Sequence, residues 1–440
     1  MQVSFPVLMA ASNMIEYKKF VDELKSELNS YANKPKYAWA EKAVRYVNGY
    51  AAEELRRLVS LEKRRKDGIF FTDSELAKKV LTLLKPSFNK DSVIYDAACG
   101  VGNLLISVSD YMRESGINPV KPNYLLGTDI HVEFTEAAAF RLQMNTLLHT
   151  SINGDTITSK VKLNSGYDIR QVDGLIDNEY YKAASHIFIN PPFNQEKIKE
   201  KLNWSSGKIS MAAVFMYKSI QFAKPGTIIM AILPDVLRSG TRYEKWREMI
   251  KTYCIMQKTE LLGQFDQYAD VDVYAVKMIK RKKLLKKQEA VNNDAICPAA
   301  PQTLKDLFDI CVGPVVDFRD EKKGPRRPYI ISKGLKSWGV QTEITETRKN
   351  KGKCFEGPFV VIKRTSRATD SYRAMATIIK TAESVYVDNH LIILKPKACT
   401  LAACKSAIKI LKDEKTNKWL NEEIRCRHLT VKVVSEIPIW

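Results

Sequence analysis

VIYDAACGVGNLLISVSDY, residues 93–111, runs from a short apolar stretch closed by Asp96, through Gly100 and Gly102, into a segment with helical spacing. Glycines at those two places let the backbone turn tightly and approach a ligand, and a carboxylate at the end of the strand marks the mouth of a pocket. A dinucleotide-binding turn spaced GxGxxG would need a third glycine where Leu105 stands, so a pyrophosphate ligand is disfavoured.

Outward from this turn the same alternation continues. Strands are expected at 92–96, 123–128, 185–189, 227–233, 253–259 and 271–278, and helices at 103–115, 131–147, 208–224 and 240–250. Short apolar runs alternating with amphipathic helices predict an α/β fold with a mostly parallel, helix-covered sheet. Only LLGQFDQYAD, 261–270, separates the last two strands. That is too little for a crossover helix, so they should pair antiparallel. Upstream, residues 14–60 read as helical, with Phe20, Leu24, Leu28, Trp39, Val44, Leu55 and Leu58 on helical spacing. The segment 63–84 breaks at Gly68, passes Phe70 and Phe71, and restarts as a helix that Thr72 or Asp73 can cap. Four regions follow: N-terminal helices over 1–62, a sheet domain over 63–278, a basic linker over 279–289 and a further α/β domain over 290–440.

The net charge of +20 is uneven, with +4 on residues 1–276 and +16 on residues 277–440. A basic rear half is suited to a polyanion, because its cations can meet phosphates and release counterions. No run is long enough to span a bilayer, and MQVSFPVLMAAS at the start lacks the basic flank and long apolar core of a secretory leader, so a cytoplasmic protein is expected. The eight cysteines form no CxxC pair and no Cys/His knuckle, so no metal is expected.

Three more loops belong with the first. YLLGTDI, 124–130, ends the second strand with Asp129, an acid placed to accept both hydroxyls of a ribose. INGD, 152–155, brings Asp155, which either accepts from an adenine amino group or caps a helix. HIFINPPFNQ, 186–195, delivers Asn190 at the end of an apolar strand, and Pro191 and Pro192 hold the loop extended. There the Asn190 side-chain oxygen and the Pro191 carbonyl could both accept from an exocyclic amine, while Phe193 offers a face for a planar group. In the rear half, GPFVVIKRTSRATDSYR, 357–373, sets Lys363, Arg364, Arg367 and Arg373 among hydroxyls, a mixture suited to phosphates and base edges.

GIFFTD at 68–73, DAACGVG at 96–102, GTDI at 127–130, NGD at 153–155, NPPF at 190–193 and AILPDVLRSGTRYEKWRE at 231–248 together resemble the N6-adenine DNA methyltransferases of restriction–modification systems. The likeness is to the class whose target-recognition domain follows the catalytic domain, including type I modification subunits. It is good over about 60–278 and thin beyond. It implies a doubly wound seven-stranded sheet with a final antiparallel strand, S-adenosylmethionine as methyl donor leaving S-adenosylhomocysteine, no metal, and double-stranded DNA as substrate. By resemblance, Phe71, Thr72, Asp96, Ala97, Gly100, Gly102, Asp129, Ile130 and Asp155 would hold the cofactor, and Asn190, Pro191, Pro192 and Phe193 the target adenine. Phe265 and Tyr268 compete to stack on the flipped base. A homodimer, or a separate specificity or restriction subunit, would be a compatible partner. Ala97 and Asp73 stand where the family often has proline. Alternatives sharing the chemistry are an N4-cytosine DNA enzyme, an RNA guanine-N2 enzyme and a glutamine-N5 protein enzyme. From another class comes a DNA-binding subunit of a restriction assembly that is idle or dependent on a partner.

Overall fold

In a computed structural model of the chain, the described residues are 14–32, 36–117, 123–152, 166–197, 202–205, 207–239, 242–266, 271–282, 302–366, 370–424 and 428–440. The chain divides into two compact units, the first made of residues 1–238 and 242–292 and the second of 239–241 and 293–440.

The first unit opens with helices α1 (Ile15–Asn29), α2 (Lys36–Val47), α3 (Tyr50–Leu58), α4 (Leu61–Asp67) and α5 (Ser74–Leu84). Asp73 caps α5 by accepting from the Glu75 N–H at 2.7 Å, and Ala77, Val80, Leu81 and Leu84 bury one stripe of it. Next come β1 (Ile94–Asp96), α6 (Asn103–Glu114), β2 (Leu125–Asp129), α7 (Val132–Ile152), β3 (Tyr167–Gln171), α8 (Glu179–Ala183) and β4 (His186–Ile189). A short ribbon, β5 (Gln195–Lys197) with β6 (Lys208–Ser210), precedes α9 (Met211–Phe222), β7 (Ile228–Pro234), α10 (Glu244–Tyr253), β8 (Cys254–Gln264) and β9 (Asp272–Lys280).

Seven strands form one sheet in the order β3-β2-β1-β4-β7-β9-β8. β9 lies antiparallel to both neighbours, and the remaining pairs are parallel. Alternate residues of the central strands enter opposite layers. Ile94, Phe188, Met230 and Ile232 pack with the N-terminal helices, α5, α6 and α7, while Tyr95, Ile187, Ile189, Ile229 and Leu233 pack with α8, α9 and α10. The fold is therefore the doubly wound α/β sheet with the final antiparallel strand, and the loops at the C-terminal ends of β1, β2, β3 and β4 meet along one edge.

Several sequence expectations shift. The strand β3 was not anticipated. It is an edge strand, YDIRQ, whose side chains are half-buried or exposed, so it lacks the apolar run that marks its neighbours. The helix expected from 208 starts at Met211, because 208–210 pair with 195–197. Val44 is 45% exposed; Trp39, Ala43, Tyr46 and Val47 are buried positions of α2. The last strand runs to Lys280, past the expected boundary at 278.

The second unit has a five-stranded sheet, in spatial order Phe308–Val312, Leu391–Pro396, Phe359–Lys363, Ala376–Ile379 and Val340–Gln341, backed by helices Leu401–Lys412 and Glu414–Glu423. A three-stranded sheet joins Thr347–Lys349, Arg326–Ile330 and Tyr386–Val387. Tyr386–Val387 and Leu391–Pro396 are separated where Asp388 accepts from the His390 N–H at 2.8 Å and turns the chain. Among the described residues no helix is long and apolar enough to cross a membrane.

Candidate active site

The turn after β1 is tied to the end of β2. Gly100 N–H donates to Asp129 Oδ2 at 3.0 Å, His131 N–H to Asp129 Oδ1 at 3.0 Å, and Cys99 N–H to the Thr128 carbonyl at 2.9 Å. Asp96 accepts from the Ala98 N–H at 3.1 Å and is fully buried. Gly100 adopts φ 51°, and a side chain there would meet the Phe71 ring at 3.2 Å. Gly102, at φ 82°, instead faces α7, where an added carbon would meet Ala138 at 3.2 Å. The missing side chain there lets α6 and α7 pack closely.

A crevice opens along this edge, lined among others by Phe71, Ala97, Gly100, Asp129, Ile130 and Asn190. Its neighbour takes in Thr72, Asp96, Asn103 and, again, Asn190. Two buried carboxylates set the electrostatics. Burial pushes the Asp96 carboxyl up to about 8, with the nearby Asp129 adding to the rise, and burial also raises Asp129 while His131 and three backbone N–H groups oppose it. Burial thus disfavours the charged form of both acids, and a positively charged ligand beside them would oppose that effect.

Sequence reasoning missed an acid. Asp173, directly after β3, lines the crevice and accepts from the Leu175 N–H at 2.8 Å. Next to it, Gly174 lies so close to the β1 loop that an added carbon would stand 2.1 Å from the Ala97 carbonyl oxygen. The dipeptide Asp173-Gly174 was a visible turn signal, but without β3 it had no place in the sheet. Asp155 lies outside the described residues, ahead of β3. The third strand's end thus holds Asp173.

Asn190 leaves β4 at the centre of the edge. Its Nδ2 donates to Thr72 Oγ1 at 2.9 Å, and its Oδ1 is buried with no hydrogen-bond partner. Pro192 lines the crevice, Pro191 is buried, and Gly68 packs against this loop, where a side chain would meet Pro192 at 3.1 Å. Phe193 and Phe265 touch edge to face, with centroids 5.3 Å apart and planes at 83°. A base sandwiched between two rings needs a gap of roughly 7 Å, two van der Waals separations. Phe265 is therefore packed on Phe193 rather than facing it across an open slot. Tyr268 lies outside the described residues.

The rear segment differs from expectation. Arg373 is 1% exposed, and its guanidinium donates to Ser366 Oγ at 3.0 Å, Asn421 Oδ1 at 2.8 Å and the Ile424 carbonyl at 2.9 Å. It holds the sheet to the helix Glu414–Glu423 and does not reach a groove. Arg364 donates to the Asn389 carbonyl at 3.3 Å, Lys363 is half-buried, and Arg367 lies outside the described residues. Exposed cations sit elsewhere, on the strands Arg326–Ile330 and Thr347–Lys349 and their loops: Lys322, Lys323, Arg326, Lys349 and Lys351. Among the described residues, no group of three or more His, Cys, Asp or Glu could hold a metal.

Comparison with known proteins places these features. Residues 49–259 match the N-6 DNA methylase family. The modification methylase CviBIII of Paramecium bursaria Chlorella virus NC1A is 21% identical over 406 residues, covering 88% of this chain and 97% of that one. Among solved structures, the type IIL restriction-modification enzyme MmeI in complex with DNA aligns at a TM-score of 0.51, with 12% identity over 96% of this chain and 66% of that one. The type IIG restriction endonuclease BpuSI aligns at 0.49, with 15% identity over 99% and 68%. The matched stretch, residues 49–259, takes in the first four strands of the parallel sheet, the Asn190 loop at their edge and the strand β7 beyond it, so this chain is similar to N-6 DNA methylases over the part that builds the crevice.

Proposed function

We propose that this chain transfers a methyl group from S-adenosylmethionine to the N6 amino group of an adenine turned out of double-stranded DNA. The observation that carries the reading is the Asn190 side-chain oxygen, buried, without a partner, and at the mouth of a crevice lined by acids. A buried acceptor left unpaired is costly, and an incoming amine would satisfy it. Bound S-adenosylmethionine supplies a methyl on a cationic sulfur. Asp129 would take its ribose and Asp173 its adenine amine, with Asp96, Ala97, Gly100 and Phe71 around the rest of the crevice.

An exocyclic amine is a weak nucleophile because its lone pair is delocalised into the ring. The Asn190 oxygen accepting from that amine, together with the Pro191 carbonyl, would localise the lone pair on nitrogen and turn it toward the donor. Positioning supplies most of the effect, and the amine can lose its proton after transfer. Extruding the base costs a few kcal/mol. Phosphate contacts from the basic second unit would offset part of it, and its exposed ribbon cations are better placed for this than Arg373. A homodimer or a separate specificity or restriction subunit is compatible with this reading.

The test is incubation of the full chain with labelled S-adenosylmethionine and unmethylated DNA, followed by nucleoside analysis. N6-methyladenine at a defined sequence is the expected product. Label on cytosine, or none at all with the cofactor bound, overturns the proposal.

A further inference from the structure

We infer that Arg141 and Asn103 are positioning residues that hold the Asn190 loop through Thr72, so that the N-terminal helices set the geometry of the transfer site. The inference rests on the reading of Asn190 given above.

Arg141 lies in α7, 1% exposed, and its guanidinium can only donate. Nε donates to the Tyr46 carbonyl at 2.9 Å and Nη2 to the Val47 carbonyl at 2.7 Å, the last two residues of α2. A cation at the carbonyl end of a helix is favourably placed. From the other side, Nη1 donates to Asn103 Oδ1 at 2.7 Å and to the Val101 carbonyl. One buried group therefore joins the end of α2 to the glycine turn and the start of α6.

Direction follows from the donor-only guanidinium. It fixes the Asn103 oxygen toward itself and so turns Asn103 Nδ2 away, to donate to the Thr72 carbonyl at 2.5 Å. Thr72, 4% exposed, is pinned by its backbone, and its hydroxyl accepts from Asn190 Nδ2 at 2.9 Å. With its nitrogen engaged on Thr72, Asn190 presents its oxygen to the crevice. Each link crosses a long sequence separation, from α2 to α7 to α6 to the loop before α5 and finally to the end of β4. The acid Asp129 is held apart from these links, by the Gly100 and His131 N–H groups.

The experiment is a double-substitution cycle in the full chain with Asn103→Ser, Thr72→Val and both, checked for retained melting temperature. Thr72→Val keeps the side-chain shape and removes only the hydroxyl link. Each single change is expected to lower kcat for DNA methylation about tenfold, the size of one hydrogen bond. If the residues act in series, the double variant falls about tenfold and not a hundredfold, with the melting temperature retained in all three. Arg141→Lys, which keeps a donor, should retain more kcat than Arg141→Gln. A hundredfold loss in the double variant, or unchanged kcat in either single variant, overturns the inference. An unmodified chain that methylates no DNA would instead sink the reading of Asn190.

Discussion

The two units carry their charge in opposite ways. In the first, a handful of acids are drawn into a buried crevice at the edge of a parallel sheet, where topology forces the ends of β1, β2, β3 and β4 together. In the second, cations are abundant in sequence, and the fold then sorts them, burying Arg373 against Ser366 and Asn421 while leaving Lys322, Arg326 and Lys349 in solvent. A parallel sheet makes position in sequence a guide to position in the site. A mixed antiparallel sheet with long loops does not, because neighbouring basic residues end on opposite faces.

The sharpest way to break this contrast is within the first unit. Asn190→Ala should lower methyl incorporation about 100- to 1000-fold with little change in cofactor affinity, whereas Asp129→Ala should weaken cofactor binding first. Calorimetry beside incorporation separates the two, and a near-normal rate for Asn190→Ala would end the assignment. Smaller is a pH effect from Asp96. Its carboxyl is pushed up to about 8 in the ligand-free protein, so below that pH it holds a proton that a cationic ligand must displace. Affinity for S-adenosylmethionine should therefore rise with pH, by at most about tenfold per unit between about pH 6 and pH 8, with proton release visible in buffers of different ionisation enthalpy. Affinity falling over that window would contradict the role given to the acid.

Smallest, and aimed at the second unit, is a pair of substitutions with opposite signatures. Arg326→Gln with Lys349→Gln should leave the melting temperature alone and flatten the slope of log affinity for DNA against log salt by about 2. Arg373→Gln should destabilise the chain by on the order of 3 kcal/mol, since it strands several buried partners. A reversed pattern would return Arg373 to the DNA surface.

Legibility followed the same division. Strands buried on both faces, such as HIFI before Asn190, announce themselves as unbroken apolar runs, and the glycine turn and Asp129 followed from their place between such strands. The edge strand YDIRQ carries no such run, and losing it cost the identification of Asp173. Phe265 was legible as a residue near the site, but its packing on Phe193 was not, because ring geometry depends on both chains of contact at once. The buried bonds of Arg141 and Arg373 were beyond reach for the same reason. Each spans residues 38 to 95 apart or 7 to 51 apart, and composition says nothing of such pairings.

The place of β9 bears on how the protein is made. It is the last strand of the sheet in sequence, yet it lies between β7 and β8 and is hydrogen-bonded to both. A nascent chain that has emerged only as far as β8 has two strands waiting for the same missing partner, and each presents an unpaired edge. The first unit can therefore close only after residue 280 has left the ribosome, and synthesis through β9 becomes the step that ends its exposure to aggregation.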